Sequence, residues 1–296
     1  MHWVKPSLIC IVLHLTSTIS NSEILPGISV CGKHPHDRIY GGQQTDITEF
    51  PWMAILEYNL PNTKHRFRCG GSLITKRHVL TAAHCITDKL VNVRLGEHNL
   101  KTDPDCEDTT PGLEYCADPP KNIGIEKTYV PEPYQSEDRN HHGDIAIIKL
   151  KEDVDFSNFI IPICLPLSEE LKNKLYAGKN LTVAGWGRTE DAYHSDVKLK
   201  VELPVLSDAS CSEYYKKFTV NISGGQLCAG GQKGKDSCTG DSGGPLMHLH
   251  RTRDEENWYV IGLVSFGTAQ CGRENSPAVY TRVPYFDEWI LNTLKL

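Results

Sequence analysis

The chain has 296 residues and a formal net charge of -6, with 31 Lys and Arg against 37 Asp and Glu. That length accommodates one large β unit or two smaller domains whose core needs no metal. The acidic balance excludes a non-specific binder of nucleic acid or anionic membrane, which needs clustered positive charge, so neither is expected as a partner.

Residues 1–20, MHWVKPSLICIVLHLTSTIS, set Lys5 before an apolar run from Leu8 to Leu15 and end in the small residues Thr18 and Ser20, the pattern of a cleaved secretory signal. The run is shorter than the ~20 apolar residues of a membrane span, and it contains His14. Removing the signal removes Cys10, so 11 cysteines become an even set suited to disulfides in an oxidising, extracellular compartment. A zinc site built on paired thiolates is disfavoured, because no C-x-x-C pair occurs. Asn180 in NLT and Asn221 in NIS are glycosylation sequons.

Residues 21–38 form a short segment rich in turn formers that ends CGKHPHDR. From Ile39 to the C-terminus the chain breaks into brief apolar runs separated by Gly, Pro and Asn. In LVNVRLG, Val91, Val93 and Leu95 alternate with polar residues as on a half-buried strand. The pattern predicts an all-β antiparallel sandwich or barrel, with two halves meeting near residues 150–165. Ser207–Lys217 reads as a short helix, and Phe286, Ile290 and Leu294 repeat every fourth residue behind Pro284, predicting a C-terminal helix. The charged stretches KTDPDCEDTTPGLEYCADPP and RTRDEEN read as surface loops.

The chemistry is concentrated in DSCTGDSGGP, residues 236–245. Gly240, Gly243 and Gly244 suit a sharp turn, and Asp241 inside that turn needs water or a cation. A reactive Ser242 needs a base and a group that orients the base. His84 in LTAAHC and Asp144 at the head of an apolar strand are the candidates. GDSGG also satisfies the G-x-S-x-G nucleophile elbow, but there the acid and then the histidine follow the serine, whereas His84 and Asp144 both precede it.

In RIYGG, LTAAHC, DIAIIKL, AGWG, DSCTGDSGGP and VSFG, in that order, the sequence resembles the chymotrypsin-like serine proteases of the trypsin family from Ile39 onward. The resemblance implies two six-stranded antiparallel β-barrels around a catalytic cleft, with a C-terminal helix. It implies Ser242 as nucleophile, His84 as base and Asp144 as its orienting acid, the template described for chymotrypsin itself. The amides of Gly240 and Ser242 would form the oxyanion hole. Cleavage of Arg38-Ile39 would free an amine to pair with Asp241, so the chain is expected to be a zymogen that needs an upstream activating protease. Asp236 would form the floor of the specificity pocket and select Arg or Lys, with Ala278 narrowing the pocket wall where glycine is usual. Ser265 and Gly267 would offer the backbone edge that pairs with substrate, beside Phe266 in place of the usual tryptophan.

Spacing alone leaves disulfide connectivity open. The resemblance suggests Cys69–Cys85, Cys211–Cys228 and Cys238–Cys271, with Cys31–Cys164 tying the pro-segment to the protease and Cys106 and Cys116 left to pair within the acidic loop. The Cys31-Gly32 start, the acidic insertion and ICLP look like the arthropod clip-domain proteases of clotting and melanisation, although no cysteine-rich clip module is read before Cys31. Glu97 and Asn99 in LGEHNL, with an acidic residue from DPDCED, could give oxygens to a structural Ca²⁺, as in some relatives; solvated acids are the alternative, and no cofactor is required. Protein substrates and protein inhibitors are the expected partners. A catalytically silent binding protein on the same scaffold is the competing function, disfavoured by the complete His84, Asp144 and Ser242 set.

Overall fold

A computed structural model describes residues 24–33 and 44–296, apart from 62, 64, 65, 111, 112, 133 and 269. The signal segment 1–20, Arg38 and Ile39 lie outside the described residues. Among the described residues no helix is long and apolar enough to cross a membrane.

Among the described residues, fourteen strands account for most of the architecture. The first unit contains β1 (Met53–Tyr58), β2 (Phe67–Leu73), β3 (His78–Thr81), β4 (Leu90–Leu95), β7 (Lys121–Tyr129) and β8 (Ala146–Leu150), paired as a closed barrel in the order β1-β2-β3-β8-β7-β4. The second contains β9 (Asn180–Gly185), β10 (Leu199–Pro204), β11 (Gln226–Gly230), β12 (Pro245–Arg251), β13 (Glu256–Phe266) and β14 (Pro277–Arg282), in the order β10-β9-β12-β13-β14-β11. Its closure differs from the expected barrel. The edge strands β10 and β11 do not pair along their length and meet only through the bridge Val205–Ala229, so the sheet curls into a half-closed barrel. The connection between the halves runs from residue 151 to 179, around the expected 150–165.

Alternation accounts for β4: Val93 and Leu95 are fully buried with Arg94 between them half-buried. Val91 is 38% exposed, because it lies near the start of the strand, outside the packed interior. The acidic stretch expected to be a loop is instead the hairpin of β5 (Cys106–Thr110) and β6 (Leu113–Cys116), with Cys106 directly opposite Cys116. RTRDEEN likewise contains strand residues, since Arg251 still pairs with Glu256 and only the turn between them is free of the ladder.

Both expected helices are present. Ser207 caps Asp208–Lys216 by accepting the Ser210 N–H, which satisfies one of the free amides of the first turn. Asp287–Thr293 follows a 3-10 turn at Val283–Phe286 and buries Ile290 and Leu294. Those side chains join a hydrophobic cluster that runs from Trp52, Leu73, Leu80 and Ile147 of the first barrel to Met247, Val260 and Leu263 of the second. One continuous core therefore fixes the barrels against each other, and with them any site assembled from both.

Among the described residues the disulfides are Cys31–Cys164, Cys69–Cys85, Cys106–Cys116, Cys211–Cys228 and Cys238–Cys271. Residues 24–33 are also held without the Cys31–Cys164 disulfide: Gly32 N–H donates to Pro162 O at 2.7 Å, Trp258 N–H to Gly32 O at 3.0 Å, and Asn257 Nδ2 to Ile28 O and Cys31 O at 2.6 and 2.8 Å. Leu80→Ala, at a fully buried position on the strand that leads to His84, is expected to lower stability by about 2–5 kcal/mol in denaturant unfolding of the oxidised protein.

Candidate active site

His84 sits on a 3-10 turn, Ala83–Cys85, just after β3, and Asp144 lies just before β8. Because β3 and β8 are paired, with Thr81 opposite Ala146, the two side chains leave neighbouring strands at one end of the barrel. His84 Nδ1 donates to Asp144 Oδ2 at 2.8 Å and the His84 amide donates to Oδ1 at 2.9 Å. Asp144 has no solvent exposure. Burial drives its carboxyl upward, but the hydrogen bonds and charge of His84, with a hydrogen bond from Ser265, outweigh that push and hold it below the usual aspartate range. The carboxylate is an ionised acceptor facing one imidazole.

Ser265 contributes more than the expected backbone edge. Its hydroxyl donates to Asp144 Oδ2 at 2.5 Å. The cause is a bulge: register between β13 and β14 shifts between Val264 and Phe266, so Ser265 is the unpaired residue and its side chain turns toward the carboxylate. Thr281 Oγ1 fixes the Asp144 carbonyl from β14 at 2.6 Å. No sequence signal marked either hydroxyl as a partner of Asp144, because each contact spans more than 100 residues.

Ser242 lies in the loop that enters β12. Gly70 N–H donates to the Ser242 carbonyl at 2.8 Å, and Gly243 N–H donates to Val264 O at 2.8 Å. Gly243 has φ of 77°, and a Cβ there would collide with Thr81 and the Gly70 carbonyl. This contact seats the serine loop of the second barrel on the strand end that carries His84. Gly240 has φ of 104° and lies against Gly187. Among the described residues neither the Gly240 nor the Ser242 amide donates a hydrogen bond, while the intervening Asp241 amide is used by Cys238 O at 2.9 Å.

Asp241 turns away from the serine. Its carboxylate accepts from Gly187 N–H at 2.8 Å and Cys238 N–H at 3.0 Å. A Cβ at Gly185 or Gly187 would occupy the space of its oxygens, which is the physical reason for the two glycines of AGWG. Although part of the residue is accessible, the carboxyl itself is enclosed. Burial pushes its pKa up to about 6 despite the two amides, and no cationic side chain among the described residues offsets it. It borders a cleft of about 800 Å³ that is also lined by Gly185, Leu199, Lys200, Asp236 and Gly272.

Asp236 accepts from Gly272 N–H at 3.0 Å through Oδ2, while Oδ1 is buried without a hydrogen-bond partner among the described residues. Burial raises this carboxyl to about 6 as well, against the amides of Gly272 and Ser237 and with a small further push from Asp241. Ser237, not singled out from the sequence, places its hydroxyl 2.8 Å from that of Tyr280 directly beyond Asp236. Ala278 is buried on β14 opposite Ala229, and a Cβ at Gly267 would come within 3.4 Å of the Ala278 methyl, so these two residues face each other. His141 was also missed: held at φ of 52°, it stacks on Phe266 at 4.8 Å between ring centres and presents itself edge-on to His84 at 6.4 Å.

The residues expected to offer oxygens to Ca²⁺ are otherwise engaged. Glu97 takes Arg94 Nε at 2.6 Å and the His98 amide at 2.9 Å, Asn99 Oδ1 takes the Lys101 amide at 3.2 Å, and Asp105 accepts the His98 and Asn99 amides. As arranged, they present no open oxygen cluster that fits the ion.

A buried carboxylate fixed on an imidazole, beside a serine in a glycine turn at the junction of two β-barrels, defines a serine endopeptidase of the chymotrypsin fold. The trypsin family model matches residues 39–290, and the chain belongs to that family. It is 45% identical over 275 residues to CLIP domain-containing serine protease B4 of Anopheles gambiae, covering 91% of this chain and 74% of that protein. It is 40% identical to the Spaetzle-processing enzyme of Drosophila melanogaster, covering 94% of this chain and 71% of the relative. Among solved structures, the Drosophila Grass clip serine protease of the Toll pathway superposes with a TM-score of 0.77 at 37% identity, covering 90% of this chain and 74% of that one.

The two raised carboxyls fix a sign. A folded-state pKa above the unfolded value stabilises the protein below the unfolded pKa, and that stabilisation is lost as pH rises through about 6. In protein not cut at Arg38, Asp241→Asn is therefore expected to raise stability by about 1–3 kcal/mol at pH 8, with the gain vanishing near pH 4, in urea titrations of both proteins.

Proposed function

We propose that this protein is a secreted zymogen which, once cut between Arg38 and Ile39, hydrolyses peptide bonds after Arg or Lys in an extracellular proteolytic cascade. The observation that carries the reading is the double hydrogen bond from His84 to the buried Asp144 carboxylate beside the seated Ser242 loop. Asp144 holds the proton on Nδ1, which leaves Nε2 as the base. His84 takes the Ser242 proton as Oγ attacks the scissile carbonyl, then delivers it to the leaving amine as the acyl-enzyme forms. Water repeats the sequence to release the acid. The free amides of Gly240 and Ser242 receive the developing oxyanion, a contribution of ~10² to 10³ in rate for each donor.

Support for activation comes from the cleft. Gln44 bridges Leu199, which lines the cleft at Asp241, and Ile39 is five residues earlier. Five extended residues span up to ~17 Å, which is the reach a freed Ile39 amine would have from Gln44 into that cleft. Until then the unpaired Asp241 charge opposes the ordered loop. Cys31–Cys164 and the hydrogen bonds around Gly32 would keep the pro-segment attached after the cut.

The specificity assignment rests on Asp236, whose Oδ1 has no donor among the described residues and suits a guanidinium or ammonium. The relatives named for Spaetzle processing and CLIP domains favour a protein substrate, an activating protease upstream and protein inhibitors as partners.

The direct test weighs the protein before and after tryptic nicking, with and without a serine-directed phosphonylating inhibitor. One adduct should appear on the nicked form alone and disappear in Ser242→Ala; labelling of the uncut form at the same rate would overturn the zymogen reading, and no labelling would overturn the activity. Ser265→Ala should lower kcat about tenfold with KM little changed, as expected for loss of one hydrogen bond to a charged group. Binding of benzamidine should weaken about tenfold per pH unit below about 6, where Asp236 becomes protonated, and Asp236→Ser should remove that dependence along with most of the affinity.

A further inference from the structure

The sequon Asn221-Ile222-Ser223 lies between the helix Asp208–Lys216 and β11, outside regular structure, with Asn221 and Ser223 exposed. Its main chain is fixed. The Asn221 N–H donates to Asn140 Oδ1 at 2.8 Å and its carbonyl lies 2.9 Å from His142 Nε2. Gln226 Nε2 adds a bond to Asn140 O at 2.7 Å, so the two loops are tied together along this edge. The side-chain amide of Asn221 makes no hydrogen bond among the described residues, which leaves its nitrogen free to carry a sugar.

The loop that receives Asn221 is the one that forms the site. Between Asn140 and His142, His141 stacks on Phe266 and stands edge-on to His84, and two residues after His142 comes Asp144. Asn221 is thus joined through the Asn140–His142 loop to Phe266, and its neighbours Val220 and Ile222 pack against the same hydrophobic cluster as Phe266. The other sequon is placed differently: Asn180 opens β9 in register with Pro204, and its acceptor Thr182 is buried in the sheet.

We propose that Asn221 carries an N-linked glycan at the rim of the substrate cleft, which slows the approach of protein inhibitors and substrates while leaving short peptides unaffected. A protein partner covers ~800 Å² of each surface and must clear the rim, whereas a short amide needs only the pocket. A bulky, hydrated sugar there reduces the productive orientations of a large partner and so acts on its association rate. The inference rests on the proposal that the protein is secreted and cut to an active form.

The test uses the full chain secreted from a glycosylating eukaryotic host and nicked, as wild type, Ser223→Ala and Asn180→Gln. Ser223→Ala breaks the sequon but keeps Asn221 and both of its ties. Peptide mapping after peptide-N-glycosidase should show Asn221 converted to aspartate in the wild type. The association rate constant of a Kunitz-type inhibitor should rise about threefold to tenfold in Ser223→Ala and stay unchanged in Asn180→Gln, with kcat/KM for a short Arg amide constant within about twofold. An unoccupied Asn221, equal association rates, or amide turnover moving in parallel with them would overturn the proposal. Absence of amide turnover in every nicked variant would instead count against the protease reading, with occupancy still decided by mass and inhibitor association still measurable by fluorescence.

Discussion

The molecule depends on keeping one carboxylate ionised where no water reaches it. Asp144 is enclosed between two paired strands and the opposite barrel, a location that by itself favours the neutral acid. It stays charged because donors converge on it: the ring and amide of His84, and the hydroxyl of Ser265. Removing one donor from such a buried group costs more than the hydrogen bond contributes in water, because the remaining charge stays desolvated. The same convergence orients His84, so the stability of the acid and the geometry of the base have a single cause.

Two further aspartates show the opposite balance. Asp236 and Asp241 each receive backbone amides, but no described side chain brings them a proton donor with charge, and burial raises both to about 6. They line one cleft. In the proposed cycle each is completed from outside the described chain, Asp241 by a new terminus and Asp236 by a basic substrate. Incomplete electrostatics inside a rigid frame is what allows binding events to change the site, since the core shared by the two barrels leaves little else free to move.

Much of this was legible without coordinates. Repeated short apolar runs indicated an all-β chain, the Phe286-Ile290-Leu294 spacing gave the closing helix, and the order of His84, Asp144 and Ser242 excluded the nucleophile-elbow fold. Glycines were informative where a side chain would collide, at Gly243 against Thr81 and at Gly185 and Gly187 against Asp241. The polar composition of the acidic stretch 101–120 predicts a loop and hides its β pairing, which depends on Cys106 facing Cys116. Likewise, the family resemblance implied six strands in the second half but not how its edges meet, a matter of cumulative twist across the sheet.

What the sequence by itself determined was the inventory and its order: a β-rich chain, ten cysteines after residue 20, a histidine, an aspartate and a serine in that order, and two further aspartates shortly before the serine. Local chemistry suffices for that, because period, turn residues and residue type are readable within a few positions. Only the tertiary structure decided that Ser265 turns its hydroxyl onto Asp144 through a bulge, that His141 stands between Phe266 and His84, and that Asn221 is tied to the loop beside the cleft. Each of these joins residues far apart along the chain, and such contacts are fixed by strand register and barrel packing, which no short stretch of sequence encodes.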